Sequence, residues 1–324
     1  MNEQAIAQWL AQLHTDGVHL DLSQLLRYQH QTHFLDLAPK QTIQSKLAGT
    51  YLARSKGRGM EFDEVRHYQN GDDVRTIDWR VTARTGKVHT KLFREEKERP
   101  VFVLTDLSET MQMGSQLLFK SVQAAHLAAL IGWHARERGD KFGGVVFNQQ
   151  TIRELKPAAR HTGVLRYLQQ LQLLCQSADS SGSSVTLADA LAQLRQLCRP
   201  GSLLYVISDF QQTNELCWKH LQAIRAHNEI RLCHIVDPLD LKLPTHADPL
   251  VAVKDSRGAV DVDLADAQLH VRYAELQDEK QQSLLSHCRG MGLSLLSIST
   301  AQPLAEQFRQ HHTGYTEGAV DGRR

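Results

Sequence analysis

The sequence predicts an α/β protein with a doubly wound, mainly parallel sheet and helices on both of its faces. From Arg99 onward, short continuous apolar runs alternate with longer segments of helical pattern, which is typical of parallel strands joined by right-handed helical crossovers. Two of the apolar runs, Val101–Thr105 and Leu203–Ser208, have the composition of strands that are buried on both faces. A helical and β-containing extension precedes this part of the chain.

The first segment, residues 1–44, is predicted to be a helical arm. Ile6, Trp9 and Leu13 recur at helical spacing, and a second helix is predicted over Leu22–His33. The arm carries no residues that predict chemistry of its own.

The second segment, residues 45–99, is rich in arginine and aromatic residues and is interrupted by glycines. Lys87–Phe93 alternates like a half-exposed strand, and Trp79 is interpreted as a packing anchor. The triplet Gly71-Asp72-Asp73 fits a turn whose aspartate caps the next element, with a second carboxylate site as the alternative. We interpret the segment as an irregular β-containing collar packed on the core.

The third segment, residues 100–312, is predicted to form the sheet and its helices, and the polar residues 313–324 are predicted to be a disordered tail. The predicted strands are Val101–Thr105, Lys141–Phe147, Thr151–Leu155, Leu203–Ser208, Ile230–Val236, a hairpin over Val251–Val262, and Leu293–Ser297. The predicted helices are Leu117–Arg138, Gly163–Cys175, Thr186–Cys198, Trp218–Ala226, Ala265–Cys288 and Pro303–Gln310.

Composition argues against several classes of protein. A net charge of +1 gives no global attraction to nucleic acid, and residues 42–99 have an excess of only four positive charges, from 13 basic and nine acidic residues. The sequence has no signal peptide and no apolar run approaching the roughly 20 residues that a transmembrane helix needs. Five cysteines without a CxxC pair predict neither a disulfide framework nor a zinc site. We therefore expect a cytoplasmic protein.

The usual enzyme motifs are missing from the sequence. It contains no GxxxxGK[ST], GxSxG or HExxH string. No catalytic residue is predicted, although the absence of a motif leaves an enzymatic function open.

Oxygen-bearing side chains follow two of the predicted strands. Asp106, Ser108 and Thr110 occupy alternate positions just past one strand end, and Asp209 follows another. Thr186 opens a helix after a loop at the same edge, where ligands bind in sheets of this kind. Oxygen-only ligands suit Mg²⁺ or Mn²⁺. With only two acids among them, the cation keeps much of its charge and can attract a carboxylate from a partner.

These stretches resemble the metal-ion-dependent adhesion site of von Willebrand factor A domains. The resemblance lies in Val-Leu-Thr-Asp106-Leu-Ser108-Glu-Thr110-Met, in Ser-Val-Thr186-Leu-Ala-Asp, and in Tyr-Val-Ile-Ser-Asp209-Phe. It implies that Ser108 and Thr110 bind the metal directly. It also implies that Thr186 binds directly or through water, and that Asp106 and Asp209 bind mostly through water.

The match has two departures from the family pattern. Thr110 stands where serine is usual, and Val185 precedes Thr186 where glycine is common. The first keeps the hydroxyl group and adds a methyl group. The second stiffens the loop, so that Ser183 or Ser184 could replace Thr186 as a ligand.

A longer string upstream resembles the signature of the domain of unknown function 58 family, and the likeness runs from about Ser45 to Phe210. The string is Gly59-Met-Glu-Phe-Asp-Glu-Val-Arg-His-Tyr-Gln-Asn-Gly-Asp-Asp-Val-Arg-Thr-Ile-Asp-Trp-Arg-Val-Thr-Ala-Arg84. Members of this family are commonly encoded beside MoxR-type AAA+ ATPases. The resemblance therefore implies an adaptor or co-chaperone that works with such an ATPase and a protein client.

The sequence leaves three hypotheses open. The first is a metal-dependent protein–protein interaction module, in which the metal captures a partner's carboxylate. The second is a Mg²⁺- or Mn²⁺-dependent phosphoester hydrolase, for which Glu109 and Asp189 are the candidate general bases. The third is a structural scaffold without any metal dependence.

Overall fold

The structure is a computed structural model with two compact units in one chain. Met1–Asp36 together with Arg99–Arg324 form one unit, and Leu37–Glu98 forms the other. The predicted tail lies, apart from Thr313, outside the described residues. The described residues are 3–32, 60–69, 72–95, 99–176, 185–244, 250–255 and 258–313.

Strands and helices alternate along the larger unit, as predicted. The strands of the described chain are β1 (Met60–His67), β2 (His89–Glu95), β3 (Val101–Asp106), β4 (Phe142–Phe147), β5 (Ile152–Ala158), β6 (Leu203–Ser208), β7 (Glu229–Val236), β8 (Leu250–Asp255), β9 (Gly258–Asp263) and β10 (Ser294–Ser299). Its helices are α1 (Glu3–Leu13), α2 (Leu22–Leu26), α3 (Trp79–Thr85), α4 (Lys120–Glu137), α5 (Arg160–Gln176), α6 (Leu187–Leu197), α7 (Glu215–Arg225), α8 (Ala267–Met291) and α9 (Leu304–Thr313).

The central sheet has six strands in the order β10-β7-β6-β3-β4-β5. Every neighbouring pair is parallel except β4 and β5, which form the predicted hairpin. The prediction of a mainly parallel sheet is therefore confirmed. Because β3 and β6 are parallel neighbours, the residues that follow them reach the same edge of the sheet.

The innermost strands are buried on both faces, with helices on each. All residues of β3, β4 and β6 are buried. Phe102 packs in one core cluster with Leu191 of α6 and Leu221 of α7. The Thr105 hydroxyl, which alternation along the strand directs to the other face, lies 2.8 Å from the Tyr167 hydroxyl of α5. The predicted helices on both faces of the sheet are thus confirmed.

Gly144 allows β4 to approach β3 closely. Its φ is +153°, and a Cβ atom built there would lie 1.8 Å from the carbonyl oxygen of Val103. Only glycine avoids this overlap between neighbouring strands.

The described part of the N-terminal arm, residues 3–32, contains the predicted helices and packs against α4. The Trp133 indole N–H donates a 3.0 Å hydrogen bond to the carbonyl oxygen of Leu25. The Tyr28 hydroxyl lies 3.1 Å from Nδ1 of His126, with both side chains buried. The arm therefore completes the core of the larger unit.

The smaller unit contains the antiparallel pair β1 and β2 and the short helix α3. The backbone N–H of Arg75 donates to the Asp73 carboxylate, and Arg66 forms a 2.6 Å ion pair with Asp72. The predicted capping aspartate is therefore confirmed as Asp73, whereas Gly71 of the triplet lies outside the described residues. The interpretation of Trp79 as a packing anchor is wrong, because its side chain is 67% exposed.

The cysteines are free and are buried or half-buried, as expected of small apolar side chains. Within the described ranges, no helix has both the length and the apolar character that a membrane crossing requires.

Candidate functional site

Asp106 lies at the carboxyl end of β3 and is held between two strands. Its Oδ1 accepts a 2.9 Å hydrogen bond from the backbone N–H of Ser108, and its Oδ2 accepts a 2.6 Å bond from the Ser208 hydroxyl of β6. The carboxylate is only 4% exposed. Burial, followed by the negative charge of Asp209, raises its pKa to about 6, although the hydrogen bonds from Ser208 and Ser108 act in the opposite direction. The site therefore favours the gain of a proton or a cation.

Ser108 and Thr110 bring two hydroxyl groups beside this carboxylate. Their oxygen atoms lie 3.4 Å apart, with Ser108 buried and Thr110 half-buried. A single helical turn over Glu109–Met111 shapes the segment, and the Gln112 amide donates to the carbonyl oxygen of Leu107 within it. The alternate spacing thus gathers Asp106, Ser108 and Thr110, as predicted.

Asp209 follows β6 and binds a lysine that the sequence analysis did not predict. Lys120, the first residue of α4, is fully buried, and its Nζ lies 2.8 Å from Asp209 Oδ2. The same Nζ lies 3.3 Å from Asp240 Oδ2. Burial is the largest single influence on Lys120 and lowers its pKa, but the two carboxylates together outweigh it, so that the net pKa is raised. We call Asp106, Lys120, Asp209 and Asp240 the strand-end cluster.

Asp240 lies in the turn after β7, in a network that holds it in place. Its Oδ2 accepts from the backbone N–H of Asp237, and its Oδ1 accepts from the Gln211 amide. Asp237 is itself fully buried and accepts from the backbone N–H of Ser115 and from the Thr300 hydroxyl. These bonds satisfy Asp237 within the protein and make it a structural residue.

Thr186 caps α6. Its hydroxyl donates a 2.6 Å hydrogen bond to Asp189 Oδ2 and accepts from the backbone N–H of Asp189, while its own backbone N–H donates to the same carboxylate. This reciprocal arrangement is a capping box. Within the described part of the chain, no hydrogen bond joins Thr186 to the other predicted ligands. The alternatives Ser183 and Ser184 lie outside the described residues.

The two candidate general bases are not arranged alike. Glu109 is exposed and accepts a hydrogen bond from the Gln149 amide. Asp189 is committed to the capping box, and the hydrogen bonds from the Thr186 hydroxyl and backbone lower its pKa. A carboxylate with a lowered pKa is a weak proton acceptor.

The donor set at this edge fits a hard divalent cation in its chemistry. It combines two buried carboxylates, Asp106 and Asp209, with the neighbouring hydroxyls of Ser108 and Thr110. In the ranges that the structure describes, no three His, Cys, Asp or Glu side chains form a metal-binding group. A cation here would depend on hydroxyl oxygens as much as on acids.

Ser208, Lys120 and Asp240 complete the site, and sequence reasoning missed all three. One signal was available for Lys120, which is a lysine at the start of a long, largely apolar helix. Neither Ser208 nor Asp240 stands out in the sequence, because each acquires its role only through a partner from a distant segment.

The chain is similar to mycobacterial proteins and to one solved structure. The uncharacterized protein Mb1516 of Mycobacterium bovis and the uncharacterized protein Rv1480 of Mycobacterium tuberculosis are each 28% identical to it over 290 residues. This overlap covers 89% of the chain and 90% of each relative. The crystal structure of the conserved hypothetical protein BatB from Bacteroides thetaiotaomicron has a TM-score of 0.40 and 11% identity. It matches over 68% of this chain and 100% of its own.

The family comparison extends over most of both the collar and the sheet. A profile described as "Protein of unknown function DUF58" matches residues 64–283. The match reaches beyond Phe210, where the motif likeness ends, and includes every member of the strand-end cluster. Since it spans more than half of the sequence, the protein belongs to the DUF58 family.

Proposed function

We propose that the protein is a metal-dependent protein–protein interaction module with a von Willebrand factor A-like sheet. The observation that carries this proposal is the grouping of Asp106, Ser108 and Thr110 at a buried strand end, with Asp209 just past the end of the adjacent strand β6. Ser108 and Thr110 would hold one Mg²⁺ or Mn²⁺ through their hydroxyls, and the two aspartates would act mostly through water.

The arrangement favours capture of a carboxylate. Asp106 is buried and its pKa is raised, so its negative charge is poorly compensated within the protein. A bound divalent cation would supply positive charge at the surface of the sheet edge. Because hydroxyl ligands leave that charge largely unneutralised, an Asp or Glu from a partner is the natural additional ligand.

The partner that we propose is a MoxR-type AAA+ ATPase in the cytoplasm, together with a protein client. This part rests on the family resemblance, and membership of the DUF58 family is consistent with it. The collar and the N-terminal arm would then add specificity beyond the single metal-bridged carboxylate.

The proposal is tested by replacing Asp106. Asp106→Ala should abolish Mn²⁺ binding and capture of the ATPase in a pull-down, while circular dichroism shows a retained fold. Chelator should have the same effect on the wild-type protein. Asp278→Ala, which removes an exposed acid from α8, serves as the matched control and should leave both properties unchanged. Capture that is equally strong with Asp106→Ala and in chelator would contradict the proposal.

The alternative, a phosphoester hydrolase, is less well supported. Glu109 is exposed, and Asp189 has a lowered pKa, whereas a buried general base is marked by a raised one. A panel of phosphatase and nuclease substrates with Mn²⁺ decides between the two functions. Turnover that is lost in Asp106→Ala would favour the enzyme.

A further inference from the structure

Lys120 occupies a position that a lysine should avoid. It is the first residue of the 18-residue helix α4, where the helix dipole places partial positive charge. Its side chain is fully buried. A buried ammonium group is stable only when anionic partners offset the loss of water. Its location is therefore explained by the acids that it contacts.

Both carboxylate oxygens of Asp209 are engaged within the protein, one of them by Lys120. Asp209 Oδ2 lies 2.8 Å from the Lys120 ammonium, and Asp209 Oδ1 accepts a 3.1 Å hydrogen bond from the backbone N–H of Gln211. Asp240 lies on the same ammonium at 3.3 Å. The ammonium group of Lys120 therefore already supplies a positive charge beside Asp209.

We propose that Lys120 competes with the divalent cation for Asp209 and keeps the affinity of the free protein for that cation low. The cation would then be held firmly only when a partner's carboxylate completes its ligands, so that metal and partner bind together. This inference rests on the proposed function and concerns the regulation of the same site.

The physical basis is charge repulsion at close range. The strand-end cluster contains three carboxylates and one ammonium group, and the ammonium cancels part of the field that would attract a metal. At the separations found within such a cluster, one unit charge changes the affinity for a divalent ion by at least about tenfold. A purely structural role, in which Lys120 only fastens α4 to the ends of β6 and β7, predicts lower stability on substitution and no change in metal affinity.

The test is a titration of the full-length protein with Mn²⁺ alone, followed by calorimetry and by the electron paramagnetic resonance signal of free Mn²⁺. Lys120→Met frees Asp209 but also deprives the buried Asp209 and the half-buried Asp240 of their shared cationic partner. The double variant Lys120→Met/Asp240→Asn is the sharper probe, because it removes one positive and one negative charge and so keeps the net charge of the cluster. Lys219→Met, at an exposed position of α7, is the control for loss of a lysine.

We expect Lys120→Met to bind Mn²⁺ at least about tenfold more tightly than the wild type, because it loses one positive charge beside the site. The double variant keeps the net charge and should bind Mn²⁺ more than about threefold more tightly, because Asp209 is released from the ammonium group. Lys219→Met should match the wild type. Adding Asp106→Ala to the double variant should remove this binding. The inference is also supported if the double variant binds Mn²⁺ measurably and the wild type does not.

The outcomes separate this inference from the proposed function. Wild-type and double-variant dissociation constants that agree within threefold would overturn the inference and leave the metal bridge intact. Absence of Mn²⁺ binding in the wild type and all variants would overturn both. A third outcome is that the ATPase is still captured in chelator while the double variant binds Mn²⁺ more tightly than the wild type. This outcome would refute the metal bridge and leave the inference about Lys120 standing.

Discussion

At the scale of single residues, the charge on Asp106 is the most costly feature of the candidate site. The carboxylate is 4% exposed, lies near a second acid and receives two hydrogen bonds that only partly compensate for burial. A site that tolerates such a cost in the free protein is typical of function rather than of stability.

The raised pKa of Asp106 predicts a pH dependence of stability. Its pKa is about 6 in the folded protein, against an ordinary value of 3.8 for an aspartate. The folded state therefore binds the proton more tightly, and this contribution to stability is present below about pH 4 and is lost as the pH rises through 6. In chelator, the stability of Asp106→Asn should not show this loss. Between pH 4 and pH 7 its free energy of unfolding should therefore rise by about 2 kcal/mol relative to that of the wild type.

Urea unfolding of both proteins across this pH range measures the difference, and the exposed-site variant Asp278→Asn is the control. Mn²⁺ should stabilise the wild type at pH 7 and leave Asp106→Asn unchanged. If the difference in free energy of unfolding between the wild type and Asp106→Asn does not vary with pH, burial does not raise the pKa of Asp106.

At the scale of elements, the start of α6 is fixed by the pairing of Thr186 with Asp189. Both side chains satisfy backbone N–H groups that the first turn of the helix leaves free. The same hydroxyl cannot serve the capping box and a metal at once without rearrangement. Secondary structure and ligand binding therefore compete for this residue.

Thr186→Ala should lower the free energy of unfolding by about 1 kcal/mol, because the helix loses its cap. Its affinity for Mn²⁺ should change by less than about threefold, since Thr186 is engaged with Asp189. Thermal unfolding and Mn²⁺ titration measure the two effects, and Thr186→Ser, which keeps the hydroxyl, should behave like the wild type. A tenfold loss of Mn²⁺ affinity in the alanine variant would contradict this prediction and indicate that Thr186 is a metal ligand.

At the scale of the whole molecule, residues 1–36 of the N-terminal arm belong to the same compact unit as the sheet. Tyr28 and His126 join them through a buried hydrogen bond between residues 98 positions apart. Burial lowers the pKa of His126 to about 4, so its imidazole is neutral near pH 7 and can accept from the Tyr28 hydroxyl.

Tyr28→Phe should therefore lower the free energy of unfolding by about 1–2 kcal/mol, since the buried imidazole loses its partner. In the His126→Leu background the same change should cost much less, because no acceptor remains to be left unsatisfied. Urea unfolding of the four proteins gives this coupling energy. Additive effects of the two substitutions would indicate that the hydrogen bond contributes nothing.

Local pattern in the sequence was enough to predict those parts of the protein that form from neighbouring residues. Continuous apolar runs predicted β3 and β6, and the alternate spacing of Asp106, Ser108 and Thr110 predicted their grouping, because one strand end and one turn suffice to bring them together. The resemblance of a string in the collar predicted the family, which the family comparison confirmed.

Only the tertiary structure showed which polar and charged side chains pair with each other at the site. Lys120 meets Asp209 across 89 positions of sequence, and Ser208 meets Asp106 across 102. Such pairs arise from the order of strands in the sheet, which no local periodicity encodes. The fold also assigned Thr186 to a helix cap, because its hydroxyl satisfies the nearest free backbone groups of α6.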